Sequence, residues 1–173
     1  FEGAYQHMSD IFRITPEIIV SDTHPRYLAT QWAERFSDKH GKKLIKVQHH
    51  HAHIASVMAE NGLTESVIGF SYDGTGYGDD GTIWGGEVFI ADYQSYQRVY
   101  HLPTMPLAGG DAAVKNPYRL ALSYLWANDI SWDETLPPVT YANETERRIL
   151  KQQLTRQLNV VQTSSMGRLF DAV

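Results

Sequence analysis

Residues 71–81 read SYDGTGYGDDG, an acidic and glycine-rich stretch between two apolar segments that have the composition of β-strands. We predict these strands at residues 67–73 and 82–91, and a third strand at 97–102. The connections are too short for crossover helices, so the three strands should form an antiparallel meander. Within the stretch, Asp79-Asp80-Gly81 is typical of a tight hairpin turn.

The first half of the stretch also has the composition of a binding site. Asp73 ends the first strand, and its carboxylate can hold a divalent metal. The glycines at 74, 76 and 78 would let backbone amides approach a phosphate closely, and Thr75 would add a hydroxyl donor. A hairpin turn without any ligand fits the same glycines.

The segment before the meander alternates strands with helices. Pro25 in the first turn and Gly41 at the end mark one helix, and Asn61-Gly62 closes the other. The predicted order is strand 17–21, helix 25–40, strand 44–47 and helix 49–60. This alternation predicts a parallel α/β layer.

Residues 49–53 read HHHAH and open the second of these helices. His49 and His53 are one turn apart and project from the same face, so their imidazoles can converge on one ion. His50 falls in register with Ile54, Val57 and Met58, the apolar stripe of the helix. A solvent-exposed histidine cluster at a helix start is the alternative interpretation.

Helices are predicted again beyond the meander, at 112–126, at 144–158 as a polar and exposed helix, and from residue 166 onward. Residues 130–138, which contain Pro137-Pro138, should form a surface loop or mark an insertion boundary.

Three residues are candidates for catalysis. Lys115 and Arg119 should lie four residues apart on one helix face, where they could bind an anionic substrate or a partner's C-terminus, although a solvated face fits equally well. His24 ends a strand just before a helix, a common place for active-site residues in α/β layers. It could face the substrate, or cap the helix together with Asp22.

Composition excludes several functions. The chain has 173 residues, a net charge of −5 and a hydrophobic fraction of 42%, which is enough for a core. The charge and the lack of a basic stretch argue against nucleic-acid binding. The absence of cysteine excludes a thiolate metal site or a cysteine nucleophile in this chain. No apolar run approaches the roughly twenty residues of a membrane span, so we predict a cytoplasmic enzyme without a membrane partner.

Five segments carry a resemblance to a known family. The C-terminal carbamoyltransferase region of the HypF family, which acts in NiFe-hydrogenase maturation, is similar to this chain from about residue 18 to residue 173. The segments are VSDTHPRYLAT (20–30), VQHHHAHIASVMAENG (47–62), SYDGTGYGDDGTIWGGE (71–87), PLAGGDAAVKNPYRLAL (106–122) and SSMGRLFDAV (164–173).

The resemblance implies a fold and a division of the chain. The fold would be α/β, of the actin-like ATPase superfamily with ribonuclease-H-like subdomains. Residues 1–65 would be the end of the first subdomain with the His-rich helix, and residues 66–173 the truncated start of the second. Because the chain also starts without Met inside a helical pattern at 5–13, we expect a fragment of a longer protein.

The resemblance also implies a set of site residues. His49, His53 and Asp73 match positions that hold iron or zinc in related enzymes, with a further aspartate ligand beyond residue 173; magnesium is an alternative. The cofactor-binding positions would be Asp73, Gly74, Thr75, Gly76, Gly167 and Asp171, with the Asp171 carboxylate accepting the ribose hydroxyls of an adenylate. Without the resemblance, Ser164 or Ser165 reads as a helix cap and Asp171 as a surface carboxylate.

The implied activity is an ATP-dependent carbamoyl transfer. Carbamoyl phosphate and ATP would give carbamoyl-adenylate, and its carbamoyl group would pass to the C-terminal cysteine of HypE as the precursor of a cyanide ligand.

Three other functions are weighed against this one. The sister families include antibiotic O-carbamoyltransferases, and the actin-like superfamily includes non-catalytic ATP-binding domains. Metallopeptidases share the His-x-x-x-His spacing, but the general-base Glu of the His-Glu-x-x-His motif is a histidine here.

The isolated 173 residues should bind ATP weakly or not at all. The strand that contacts adenosine and the last aspartate ligand are expected outside this segment, whereas the complete protein should bind ATP. Titration calorimetry on both proteins checks this, and tight binding by the isolated segment would contradict our assignment of its boundaries.

Overall fold

Helices and strands alternate along residues 2–173, the part of the chain that the computed structural model describes. The helices are α1 (Glu2–Phe12), α2 (Leu28–His40), α3 (His49–Glu60), α4 (Asp111–Lys115), α5 (Pro117–Ala127), α6 (Pro137–Tyr141), α7 (Glu144–Arg156) and α8 (Met166–Ala172). The strands are β1 (Ile18–Asp22), β2 (Lys43–Val47), β3 (Val67–Tyr77), β4 (Ile83–Ala91), β5 (Tyr96–His101), β6 (Met105–Ala108) and β7 (Val160–Thr163).

The strands form two sheets. β1 and β2 pair in parallel, with α2 as the crossover between them. The second sheet has the order β3-β4-β7-β6, and β5 pairs with β4. Because β3, β4 and β5 are antiparallel neighbours, both the parallel layer and the meander predicted from sequence are confirmed.

β3 extends four residues beyond its predicted end at Asp73. The predicted glycine-rich loop is therefore strand up to Tyr77, and only the turn after it is a loop. The register with β4 shifts between Tyr72 and Gly76, so Asp73 lies in a bulge outside the regular ladder. Bulges redirect side chains and are frequent next to active sites. In the turn, Gly81 has a φ of +78°, as its glycine-rich pattern predicts.

Helix α3 packs directly on β3. His50, Ile54 and Met58 are buried, as the apolar stripe predicts, but Val57 is 56% exposed and does not belong to it. The buried residues 50, 54 and 58 are each about one turn apart, and Val57 lies outside this row.

The predicted helix 112–126 is two helices, α4 and α5. Pro117 has no N–H to continue the first helix, and Asn116 before it has φ −130° and ψ 80°. Lys115 ends α4 and Arg119 lies in the first turn of α5, so the prediction that they share one helix face is wrong.

Three other predictions need correction. Residues 137–141 are helix α6 rather than loop, with Val139 buried. Strands β6 and β7 were not predicted, because each has four residues and β6 contains Pro106, which is tolerated on this edge strand. Helix α7 is polar on its outer face only, since Leu150 and Leu154 are buried on its inner face.

The largest core cluster lies under α7. Leu150 and Leu154 pack there with Leu122 of α5 and Val139 of α6, and all four side chains are at most 1% exposed. The cluster attaches α5, α6 and α7 to each other and, through Ala108, to β6. None of the helices in residues 2–173 is long and apolar enough to cross a membrane.

Replacement of Leu154 by Ala should lower the free energy of unfolding by about 3 kcal/mol, because it leaves a cavity in a core with no exposed surface. Chemical unfolding measures the change. Thr155→Ala, at the exposed neighbouring position, is the control and should change the stability by less than about 0.5 kcal/mol. Equal losses in the two variants would contradict this description of the core.

Candidate metal centre

Two histidines of α3 and the bulge aspartate of β3 meet at one point. The distance from His49 Nε2 to Asp73 Oδ2 is 2.8 Å, and from His49 Nε2 to His53 Nε2 it is 3.1 Å. His53 Nε2 lies 3.9 Å from Asp73 Oδ2. The structure thus brings together the three residues that the sequence selected, with all ligand atoms within 4.8 Å of one another.

Local structure at the start of α3 sets the position of the histidines. The Gln48 side chain caps the helix by accepting from the His51 amide, and its Nε2 donates to the Tyr77 carbonyl at the end of β3. One side chain therefore begins the helix and attaches it to the strand that carries Asp73.

Asp22 is a member of the site that the sequence analysis considered only as a helix cap. It ends β1, and its Oδ2 lies 2.9 Å from His49 Nδ1, while its Oδ1 accepts from the His24 amide. A carboxylate at Nδ1 favours the tautomer with the proton there, which leaves the Nε2 lone pair directed at the site. The position of Asp22 at the carboxyl end of a parallel strand was the sequence signal for this role.

The Asp73 carboxylate is held by its own main chain. Its Oδ1 accepts from the Gly74 amide at 2.6 Å, which leaves Oδ2 for the histidines. Burial by itself would raise the pKa of Asp73, but the hydrogen bonds from Gly74 and His49 outweigh it and keep the pKa below its usual value. The carboxylate is thus an anion at neutral pH.

The donor set fits a divalent cation. Without a metal, a proton on His49 Nε2 bridges the 2.8 Å to Asp73 Oδ2, and a cation bound there would take the place of that proton. Two imidazoles and one carboxylate are a ligand set of catalytic zinc and of non-haem iron, and they leave coordination positions open.

His50 is directed away from this point and into the core. It is fully buried, its Nδ1 lies 3.2 Å from Gln48 Nε2, and burial is the main cause that lowers its pKa to about 4. A Cβ at Gly76 would lie 2.2 Å from the His50 ring, so close packing of His50 explains why a glycine is needed at this position.

An aromatic group borders the site. The His24 and Tyr27 rings stack with their centroids 4.0 Å apart, and the Tyr77 ring packs edge-on against His24 with a centroid distance of 4.9 Å. Burial first, and then the Asp22 and Asp73 carboxylates, raise the pKa of Tyr27. His24 is therefore near the acidic cluster, and its Nδ1 accepts from the Arg26 amide.

The predicted nucleotide residues lie partly at the bulge. A Cβ at Gly167 would be 2.7 Å from Gly74 Cα, so the start of α8 touches the strand directly. Thr75 is exposed and donates to the Gly74 carbonyl. Asp171 lies one turn further along α8 and forms a 3.0 Å ion pair with Arg168.

The two cationic candidates lie outside the cluster. Arg119 donates to the Ala108 carbonyl and to Gln153 Oε1, and Lys115 is exposed at the end of α4. Within residues 2–173, no hydrogen bond or ion pair connects either of them to His49, His53 or Asp73.

Comparison with known families identifies the family of the chain. The model of a "Carbamoyltransferase, Kae1-like Domain, second subdomain" matches residues 69–173, and that of a "HypF Kae1-like domain" matches residues 1–60. Carbamoyltransferase HypF of Synechocystis sp. is 42% identical over 100% of this chain and 24% of its own length. The probable carbamoyltransferase HypF of Methanocaldococcus jannaschii is 40% identical, over 96% and 22%.

Solved structures give the same result. A crystal structure of full-length HypF in the phosphate- and nucleotide-bound form superimposes with a TM-score of 0.88 at 42% identity, covering 98% of this chain and 26% of that one. The crystal structure of T. kodakarensis HypF gives 0.82 at 36% identity, over 99% and 24%.

The fold and its matches define a mixed α/β domain of the Kae1-like, actin-like ATPase class. The chain belongs to the HypF family of carbamoyltransferases and spans about a quarter of the length of the curated relatives that it matches.

Asp22→Asn should weaken binding of Zn²⁺ or Co²⁺ by about tenfold or more, because it replaces the anion that orients His49 and raises its basicity. Titration of the metal-free intact protein measures the affinity. Asp38→Asn, which removes an exposed carboxylate from α2, is the control and should bind metal as the parent does. Parental affinity in Asp22→Asn would remove Asp22 from the site.

Proposed function

We propose that this chain forms part of an enzyme that transfers a carbamoyl group from carbamoyl-adenylate to the C-terminal cysteine thiol of HypE. Carbamoyl phosphate and ATP would be the small-molecule substrates, and the product would serve cyanide-ligand synthesis in NiFe-hydrogenase maturation. The observation that carries the proposal is the convergence of His49, His53 and Asp73 on one point in a chain of this family.

A divalent metal held by His49, His53 and Asp73 would supply Lewis-acid stabilisation of negative charge on phosphate or carbamoyl oxygens. The chain's own residues prepare the site for it. Asp22 holds the proton of His49 on Nδ1, and the Gly74 amide holds one carboxylate oxygen of Asp73. Both hydrogen bonds restrict the ligand atoms to orientations that converge.

We assign the nucleotide to the surface at the bulge and the start of α8. The close approach of Gly167 to Gly74 supports this assignment. The binding residues would be Gly74, Thr75 and Gly76 on the strand side, and Gly167 and Asp171 on the helix side. The Gly74 amide already donates to Asp73, so it is not available to a phosphate. Contacts to the phosphate would come from the Thr75 hydroxyl and from the metal.

The acceptor thiol would come from outside these 173 residues, which contain no cysteine. We assign His24 to the carbamoyl group, because it lies beside the acidic cluster that also perturbs Tyr27. Lys115, exposed at the end of α4, remains a candidate contact for an acidic partner terminus. The hydrogen bonds of Arg119 to α7 and β6 favour a structural role for it.

Two further assignments stay predictions. The boundary between subdomains at residues 65 and 66 separates α3 from β3, so the metal centre would lie between the two parts. We also keep the cytoplasm as the place of action. We keep a protein thiol as the proposed acceptor in preference to an antibiotic hydroxyl, because the chain belongs to the HypF family.

His49→Ala or His53→Ala in the intact protein should abolish carbamoyl transfer and leave the fold intact. Each change removes one of two imidazoles from a site with few other protein ligands, so metal should be lost. Carbamoyl phosphate hydrolysis should persist, because the resemblance assigns it to another domain. A thiol-transfer assay on HypE, with metal analysis, measures both effects.

Two other histidines of the same helix serve as controls. His51→Ala removes an imidazole that is bonded to the Asp92 carbonyl and should keep transfer and metal. His50→Ala should act mainly on stability, since that ring is in the core. Wild-type transfer rates in both the His49 and His53 variants would refute the metal-centred mechanism.

A further inference from the structure

A buried serine holds the main chain of the metal-site bulge. Ser165 is 1% exposed, and its hydroxyl lies 2.7 Å from the Asp73 carbonyl and 2.9 Å from the Gly74 carbonyl. The same oxygen accepts from the Arg168 amide and so caps α8. A residue 92 positions away in sequence thus places its one hydroxyl proton between the carbonyls of Asp73 and Gly74.

Glycines make this contact possible. A Cβ at Gly85 would lie 2.4 Å from the Asp73 carbonyl oxygen, and one at Gly167 would lie 2.7 Å from Gly74 Cα. The bulge is therefore enclosed by β4 on one side and by α8 on the other. With such close contacts, the 73–74 peptide has little freedom to rotate.

Ser165 is itself attached to a buried ionic network through its neighbour. The Ser164 hydroxyl donates to the carboxylate of Glu87, which is fully buried. The same carboxylate also accepts from the Gly85 and Gly86 amides and from Arg98. The network attaches the segment before α8 to β4 and β5. Ser165 therefore contacts the bulge from a rigid support.

The orientation of the Asp73 carboxylate depends on this main chain. The Gly74 amide donates to Asp73 Oδ1, and that hydrogen bond is what directs Oδ2 at His49 and His53. Rotation of the 73–74 peptide would move the amide and, with it, the carboxylate. The regular register with β4 is interrupted at the bulge, so the contacts of Ser165, Gly85 and Gly167 are what hold this peptide.

We infer that Ser165 is a positioning residue for the metal ligand Asp73, acting through the Asp73 and Gly74 carbonyls. The inference rests on the metal centre of the proposed function, and it concerns a side chain that does not itself contact the metal. A purely structural serine would affect only the stability of the fold. A positioning serine affects the metal affinity as well.

The test compares two buried serines in the intact protein. Ser123 is also 1% exposed, but its hydroxyl donates to the Arg119 carbonyl within α5. Metal-free Ser165→Ala should unfold at a lower temperature than the parent, since it removes the cap of α8 and the hydroxyl donor to the bulge carbonyls. Ser123→Ala is the control, because the Arg119 carbonyl keeps its helical N–H donor. The affinity for Zn²⁺, measured by competition with a chelator, should fall about tenfold in Ser165→Ala alone. The d–d absorption of bound Co²⁺ should change in the same variant.

A second pair of variants disturbs the same peptide without removing the hydroxyl. Gly167→Ala should weaken Zn²⁺ binding, because the new methyl group displaces Gly74. Gly3→Ala, which meets nothing within 4 Å, should not. This pair decides the question if Ser165→Ala does not fold.

Parental Zn²⁺ affinity in Ser165→Ala, or an equal loss in Ser123→Ala, would overturn the inference while the metal centre and carbamoyl transfer stand. A parent protein that binds neither Zn²⁺ nor Co²⁺ would overturn it together with the metal centre. Carbamoyl transfer to HypE, assayed separately, would then decide whether the proposed activity survives.

Discussion

The candidate site depends on the direct packing of α3 against β3. Gly69 and Gly76 have no side chains on the contact face, and added Cβ atoms would lie 2.5 Å from Ile54 and 2.2 Å from His50. The helix therefore lies close to the strand, with His50 and Ile54 as its anchors. Because His49 and His53 flank that buried row, this packing brings their imidazoles to the level of the Asp73 bulge.

His49 lies between two carboxylates, one at each ring nitrogen. Asp22 and Asp73 approach its two nitrogens from opposite sides, and both carboxylates are only partly buried. Asp22 orients the His49 ring from Nδ1, and Asp73 lies on the Nε2 side, where a metal would bind. A cation beside His49 Nε2 and Asp73 Oδ2 would balance this charge, and it would need both residues as ligands.

Sequence patterns predicted the elements whose periodicity reflects burial. The α2 and α3 helices and the β3–β5 meander were recognised in this way. The patterns failed where burial is one-sided or local, as in α7, whose two buried leucines are surrounded by charged residues, and in the four-residue strands β6 and β7. The break at Pro117 was readable from proline chemistry, but the continuous apolar pattern outweighed it.

The sequence by itself determined the α/β class, the family and the candidate residues His49, His53 and Asp73, because helical spacing and motif order are local properties. Only the tertiary structure decided that Asp22 orients His49 and that Ser165 holds the bulge. Those contacts join residues 27 and 92 positions apart, and their geometry follows from how sheets and helices pack. The sequence shows that Asp22 ends a strand, but the distances of both contacts depend on how distant elements pack.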